Sequence, residues 1–357
     1  MTLLARDEAD IVDAQISFHL NAGVDFVVAT DNGSEDETTE ILERYARAGF
    51  LHLIREGGDD YRQAEWVTRM ARLAATEFGA DWVINADADE FWWPRGGSLR
   101  DVLATVPKRY GVVKGCWRHF PPRPEDGRFF AERMTVRLCT PADPGDKRSV
   151  YHVHQKVAHR ADPHVVVEQG NHGATGAQLD PIRAWHPFEV LHFSFRSVAQ
   201  LENKGSRAGW ARMPTDALVL HQFLMVDACR EGRVASYYDS FAVDDRALEH
   251  GLANGTLAID TRLRNALRTL RDRDGGFALP GTVPALSFAP PGIVQNAAYA
   301  VETSTLIEID GIVRAVQRVA ALEERLDALE GMTLANARQV LTRRVDRWKV
   351  PRRLASR

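Results

Sequence analysis

The chain has 357 residues, 45% of them apolar and 26% charged, the balance of a globular protein with a real core and not of a disordered or fibrous one. A formal net charge of −4 and a pI near 6.3 give no global pull toward nucleic acid, so no nucleic-acid partner is expected. Three separated cysteines, Cys116, Cys139 and Cys229, without CxxC spacing argue against a disulfide framework and a structural zinc site. With no signal-peptide pattern and no run near the ~18 to 20 apolar residues that span a bilayer, a cytoplasmic location is expected.

The first hundred residues alternate strand and helix. The apolar run "TLLA" reads as a strand, and Ile11, Val12, Ile16 and Leu20 follow at helical spacing until Gly23. "FVVAT" (26–30) is a second strand. Ile41, Leu42 and Tyr45 mark a second helix closed by Gly49, and "LHLI" is a third strand. Val67, Met70, Ala71, Ala74 and Phe78 define a third helical face leading into "WVINAD". Strands separated by helices of this length imply βαβ units and a parallel sheet, hence an α/β fold.

Beyond residue 110 the runs shorten. "GVVKGCW", "RMTVRLCT", "YHVHQKVAHR" and "HVVVEQ" read as strands, some antiparallel, between Pro, Gly and Asp clusters. "VLHFSFRSVAQLENKG" is a strand entering a helix. Residues 213–275 read as mostly helical and 275–292 as a Pro/Gly linker. Ile312, Ala315, Val319, Leu322, Leu326 and Leu329 then form a heptad seam of roughly three repeats. Three segments follow: 1–212 as an α/β domain, 213–292 as a helical extension and linker, and 293–357 as a C-terminal helix with a basic tail.

Ligands of an open parallel sheet bind outside the carboxyl ends of its strands. Polar clusters fall at three such ends: "ARDEAD", "TDNGSEDET" and "NADADEF". No G-x-G-x-x-G or P-loop lysine follows the first strand, so phosphate needs another counter-charge. Carboxylates holding Mg²⁺ or Mn²⁺ supply one, and Asp87 and Asp89, two residues apart on a strand end, point to the same side. Against this stands the bland reading of a solvated D-x-D turn. For Asp31 the alternative is a cap on the following helix, a job that Ser34 and Asp36 also fit. Phe91, Trp92 and Trp93 put flat apolar faces beside the charged cluster and suit ring stacking and site walls, with at least one of them in the core.

"LLARDEADIV", "VVATDNGSEDET" and "WVINADADEFWWP", in that order, resemble the nucleotide-sugar-dependent glycosyltransferases of the GT-A fold, in particular the family 2-like group, over about residues 2–210. The resemblance implies a Rossmann-like mixed sheet flanked by helices, with the helical extension appended. It implies a nucleotide-diphosphate-sugar donor, a divalent metal, a glycan or lipid-linked acceptor, and inverting transfer in glycan or polysaccharide biosynthesis. Carried over by position, Asp31 holds the nucleoside, Asp87 the ribose or a metal-bound water, and Asp89 the metal, with Arg6 and Glu8 beside the base. Thr30–Asp31 stands where the common pattern has two acids. His172 completes the metal shell or is a loop histidine with one backbone bond. His192, in an apolar run, is a ligand or a satisfied core histidine. Arg196 and Lys204 neutralise diphosphate or are solvated charges.

Inverting transfer needs a base, usually a carboxylate. Glu168, Asp180 and Glu189 are the candidates, with Glu189 preferred for its place beside His192. The C-terminal "RRVDRWKVPRRLASR" has two readings. It is a frayed end behind a packed helix, or a tail that carries a self-associating helix (312–329) to the inner face of an anionic membrane. Two other functions stay open: a sugar-nucleotide nucleotidyltransferase, and a non-catalytic scaffold acting through its C-terminal helix.

Overall fold

A computed structural model of the chain describes residues 1–57, 62–139, 149–152, 154–177, 179–182, 185–206, 211, 218–272, 276–288, 319 and 322. Two units divide it, Met1–Ile307 and Glu308–Arg357. In the second unit only Val319 and Leu322 are described, both exposed helical residues. The rest of the heptad seam and the basic tail lie outside the described residues.

The first unit opens with β1 (Thr2–Ala5), α1 (Val12–Asn21), β2 (Val27–Asp31), α2 (Thr38–Arg47), β3 (Leu51–Arg55), α3 (Gln63–Thr76) and β4 (Trp82–Asp87). These strands pair in parallel in the order β3-β2-β1-β4. Alternation along each strand sends side chains to opposite faces. Leu3, Val27, Ala29 and Ile84 join the core under α1, and Val28 and Val83 pack with Val67, Met70 and Ala74 of α3. Both faces are covered by helices, so the strands read as near-continuous apolar runs.

The sheet then continues as β8 (Gln155–Arg160), β6 (Val112–His119), β11 (Phe188–His192) and β5 (Glu90–Pro94). β8 is antiparallel to both β4 and β6, β11 is parallel to β6, and β5 is antiparallel to β11. Only Ala88 and Asp89 separate β4 from β5, although three strands stand between them in the order. Two residues of chain reach at most about 7 Å, so the sheet must curl until its β5 edge returns to β4. The acids of "DADE" sit at that crossing. Gly115 permits the close packing of β6, since a Cβ there would lie 2.8 Å from Val190 Cγ2 and 3.2 Å from Trp92 Cζ3.

The sequence does not announce β5, because "EFWWP" reads as site wall. In the structure Phe91 and Trp92 are fully buried, and Trp93 packs against Phe18 and Phe288. After α4 (Leu99–Ala104), α5 (Phe130–Arg133), β9 (Val166–Val167), β10 (Ala174–Thr175) and α6 (Val198–Ser206), the segment expected to be helical carries α7 (Leu220–Arg230), α8 (Val234–Asp239), α9 (Asp245–Asn254) and α10 (Arg262–Leu270), interrupted by β12 (Leu257–Ile259). β12 pairs with β7 (Val136–Leu138). Leu263, Leu267 and Leu270 of α10 join the main core with Ile16 and Phe18 of α1. No helix among the described residues is long and apolar enough to cross a membrane.

Candidate functional site

Strand order reverses between β1 and β4: the chain moves outward from β1 to β2 and β3, then returns to β1's other side. In an open α/β sheet that reversal opens a crevice at the carboxyl ends. A cavity of about 420 Å³ occupies it, lined by Arg6, Asp7, Glu8 and Asn32 on one side and by Asp87 and Asp89 beneath. Trp117, His154, Lys156, His172, His192 and Lys204 complete the walls.

The acids of the D-x-D pair have different surroundings. Asp87 Oδ1 accepts from Gln63 Nε2 at 3.1 Å and Asn171 Nδ2 at 3.0 Å, and its Oδ2 takes Lys156 Nζ at 2.5 Å. Lys156 also meets Glu90 Oε1 at 2.9 Å and is 1% exposed. Burial alone would lower the Lys156 pKa, but Asp87 and Glu90 outweigh it and hold the ammonium charged. Burial pushes the Glu90 carboxyl up to about 8 against the pull of Lys156. Glu90 accepts further from Trp117 Nε1 at 2.7 Å and from the Asp87 backbone N–H at 3.2 Å.

Asp89 has a single hydrogen-bond donor among the described side chains, Lys204 Nζ at 3.0 Å from Oδ2. Its Oδ1 lies 3.7 Å from His192 Nε2. Burial would raise the Asp89 pKa, yet Lys204 and His192 hold it well below the ordinary carboxylate range. Asp89, Glu90 and His192 each offer a ligand atom within 4.8 Å of the others. The gap of 3.7 Å is too long for a hydrogen bond and is one that two ligand bonds of about 2.1 Å to one cation can bridge. The donor set therefore fits a divalent metal. Glu90 stands behind it, its oxygens already engaged.

His192 stacks on Trp117 with ring centroids 4.2 Å apart, and burial lowers its pKa against the pull of Asp89. His172 Nδ1 lies 2.8 Å from the Gln155 carbonyl, and its ring stacks on His154 at 4.6 Å. Gly170 gives that ring room: its φ is +73°, and a Cβ there would fall 2.6 Å from His172 Nε2. Burial brings His154 to about 3 and His172 to about 4, so both are neutral at pH 7.

Of the residues expected at the nucleoside, Arg6 and Glu8 line the cavity. Arg6 Nη1 donates to the Asn32 carbonyl at 2.6 Å. Burial lifts the Glu8 carboxyl to about 7 against Arg196 and Lys204. Asp31 does not line the cavity. Its Oδ1 accepts from the Ser34 backbone N–H at 3.0 Å and the Ser34 hydroxyl at 2.7 Å, and its Oδ2 from Thr39 Oγ1 at 2.5 Å, so its carboxylate holds the turn into α2. Arg196, 1% exposed, lies behind the cavity wall, bonded to Asp10 at 2.7 and 2.8 Å and to Glu8. Lys204 alone of the two expected diphosphate cations lines the cavity.

None of the three expected base carboxylates lines it either. Glu189 is 3% exposed and bonded to Arg118 and Arg262 at 2.6 Å each, with Arg95 at 3.4 Å. Burial would raise its pKa, but the three guanidinium groups hold it far below the usual range, which leaves a poor proton acceptor. Asp180 is exposed, and its carbonyl accepts from Gly111 and Val112 at the start of β6, the end of the sheet away from the cavity. Glu168 is exposed beside the turn at 169–171, its backbone N–H bonded to the Gly173 carbonyl at 2.9 Å.

Sequence reading missed Lys156, Gln63 and Asn171, the three donors on Asp87, and also Asp7, Asn32 and Trp117. The spacing of "YHVHQK" carried a signal for Lys156, because His152, His154 and Lys156 alternate and all line the cavity. Asp7 takes a left-handed backbone, φ +52°, held by a 2.6 Å bond from the Glu35 backbone N–H to its carboxylate. Nothing local to "ARDEAD" marks that conformation.

No protein-family model matches the chain, and no curated protein does. Among solved structures, a mycobacterial protein is similar at 23% identity and TM-score 0.25, over 33% of this chain and 40% of that one. Glucosyl-3-phosphoglycerate synthase from Mycobacterium tuberculosis, in complex with Mn²⁺, UDP and glucosyl-3-phosphoglycerate, is similar at 21% identity and TM-score 0.24, over 33% and 43%. The chain thus spans less than half the length of these two proteins. S. aureus TarS 1–349 in complex with UDP is similar at 10% identity and TM-score 0.32, over 81% and 98%. The strand order 3-2-1-4, the antiparallel continuation through β8 and the acids at the switch-point crevice make this a GT-A-like, Rossmann-like α/β fold.

Proposed function

We propose that the chain is a glycosyltransferase that moves a sugar from a nucleotide-diphosphate donor to an acceptor hydroxyl, with a divalent metal at Asp89 and His192. One observation carries this reading: at the switch-point crevice an Asp89 carboxylate oxygen and the His192 Nε2 face each other across 3.7 Å, beside the ammonium of Lys204. A metal bound there supplies positive charge for the donor's diphosphate as the sugar leaves. The nitrogen ligand favours Mn²⁺ over the harder Mg²⁺.

The remaining roles follow from placement. Arg6, Glu8 and Asn32, at the end of β1 and beside it, receive the nucleoside. Lys204 stands 3.0 Å from Asp89 and neutralises diphosphate oxygens. Asp87 acts through its three donors, keeping Lys156, Gln63 and Asn171 in register under the cavity floor. Toward Trp117, the neutral imidazoles of His154, His172 and His221 give the acceptor side one donor and one acceptor each, suited to a hydroxyl-rich ligand. Trp117 offers part of its ring surface there.

Calorimetric titration of UDP, GDP and dTDP, with and without Mn²⁺, tests this reading. One nucleotide binds in a Mn²⁺-dependent manner to the wild-type chain, and the dependence disappears in Asp89→Ala. Binding that ignores Mn²⁺, or no nucleotide binding, overturns it.

A further inference from the structure

His119 lies outside the cavity lining, next to His192. It ends β6 and stands in register with His192, the last residue of β11. Its Nε2 lies 2.8 Å from the His152 carbonyl. A carbonyl only accepts, so that nitrogen carries the hydrogen. An imidazole whose hydrogen sits on Nε2 has a bare lone pair on Nδ1. Nδ1 lies 3.2 Å from His192 Nδ1, and a hydrogen bond there requires His192 Nδ1 to be the donor. The neutral His192 ring then has its own lone pair on Nε2, the nitrogen 3.7 Å from Asp89 Oδ1. A lone pair and a carboxylate oxygen facing each other repel, and a cation between them attracts both.

We infer that His119 is a positioning residue: through the chain His152 carbonyl, His119, His192 it sets the tautomer of His192 and presents Nε2 as a ready metal ligand. A group that accepts from the far nitrogen of a metal-binding histidine holds both its ring orientation and its basicity. The inference rests on the metal reading given above and adds a residue to it. Trp117 stacks on the His192 ring at 4.2 Å and meets the His119 ring edge-on at 5.2 Å, which keeps the His192 ring from turning away.

The test is Mn²⁺ titration of the nucleotide-free full chain, read by the free-ion electron paramagnetic resonance signal and by the ¹⁴N coupling of the bound ion in pulsed experiments. His119→Leu removes the acceptor for His192 Nδ1. Its Mn²⁺ dissociation constant should rise about 10- to 100-fold and the imidazole ¹⁴N coupling should weaken or vanish. His119→Asn places an amide oxygen where Nδ1 was, so affinity should stay within about threefold of wild type with the coupling intact. A leucine variant that binds Mn²⁺ with wild-type affinity and coupling overturns the inference, and so does an asparagine variant that loses as much as leucine. Should the leucine protein fail to fold, His119→Phe, which also lacks an acceptor, takes its place under the same criteria. Asp89→Ala separates the two levels. If it leaves Mn²⁺ binding untouched, or the wild type shows no ¹⁴N coupling, the metal site itself is refuted, whereas loss in Asp89→Ala alone refutes only the part given to His119.

Discussion

Replacing each acid of the D-x-D pair by its amide should separate a structural carboxylate from a functional one. Asp87 receives three side-chain donors, from α3, from the 169–171 turn and from β8. In Asp87→Asn one oxygen becomes an NH₂ group that must confront either the Lys156 ammonium or the Gln63 and Asn171 pair, all donors. A charge-assisted hydrogen bond contributes ~1.5 to 3 kcal/mol, and breaking a buried ion pair costs ~3 to 5 kcal/mol. Asp87 is 27% exposed, so water replaces part of the loss, and Lys156 keeps Glu90. The net cost is about 2 to 3 kcal/mol, a fall in Tm of roughly 3 to 5 °C for a unit of this size. Asp89→Asn keeps an oxygen for Lys204 and should cost less than about 1 kcal/mol, while Mn²⁺ affinity drops at least about tenfold through loss of the anionic ligand. Differential scanning calorimetry and Mn²⁺ titration of both proteins make the comparison. Equal thermal losses, or an Asp89→Asn protein that binds Mn²⁺ as the wild type does, would refute the division of roles.

Three other outcomes follow. Glu189→Gln leaves the buried guanidinium groups of Arg95 and Arg118, and the partly exposed one of Arg262, without this carboxylate and should lower stability by ~3 to 5 kcal/mol, measured by urea unfolding; a change below about 1 kcal/mol contradicts the network. Because the folded-state pKa of Glu189 is depressed, its contribution is fully present above the unfolded value of about 4.3 and is lost as pH falls below it, so the difference between wild type and Glu189→Gln should shrink toward pH 3. Arg6→Ala should weaken nucleoside diphosphate binding about tenfold by calorimetry, whereas Asp31→Ala should cost ~1 kcal/mol of stability with less than about a threefold change in nucleotide affinity; the reverse order would move the nucleoside toward Asp31.

The parallel half of the fold was legible because its signals are local. Apolar runs such as "FVVAT" and the helical spacing of Val67, Met70, Ala71 and Ala74 report both buried faces of β1 to β4. The curl that brings β5 back to β4 was not, since it depends on pairings between segments about 40 to 100 residues apart. The site divides in the same way. Asp87, Asp89 and Glu8 could be read from strand ends, where chemistry follows position along the chain. Lys156 and Gln63 reach Asp87 from other elements, 69 and 24 residues away. Glu189 looked like a base from its neighbour His192, but three residues along a strand is an odd step, and the two side chains leave the sheet on opposite faces. Asp31 combines both plausible readings of a strand-end acid, and here hydrogen bonding to Ser34 and Thr39 occupies both of its oxygens.

The most direct test of the account is release of nucleoside diphosphate from UDP-, GDP- and dTDP-sugars by the full chain, with Mn²⁺ and with excess chelator, in wild type and Asp89→Ala. Turnover of at least one donor that requires the metal and vanishes in Asp89→Ala is the predicted result. Turnover that persists in chelator or in the Asp89→Ala protein, or no turnover of any of these donors, would contradict it.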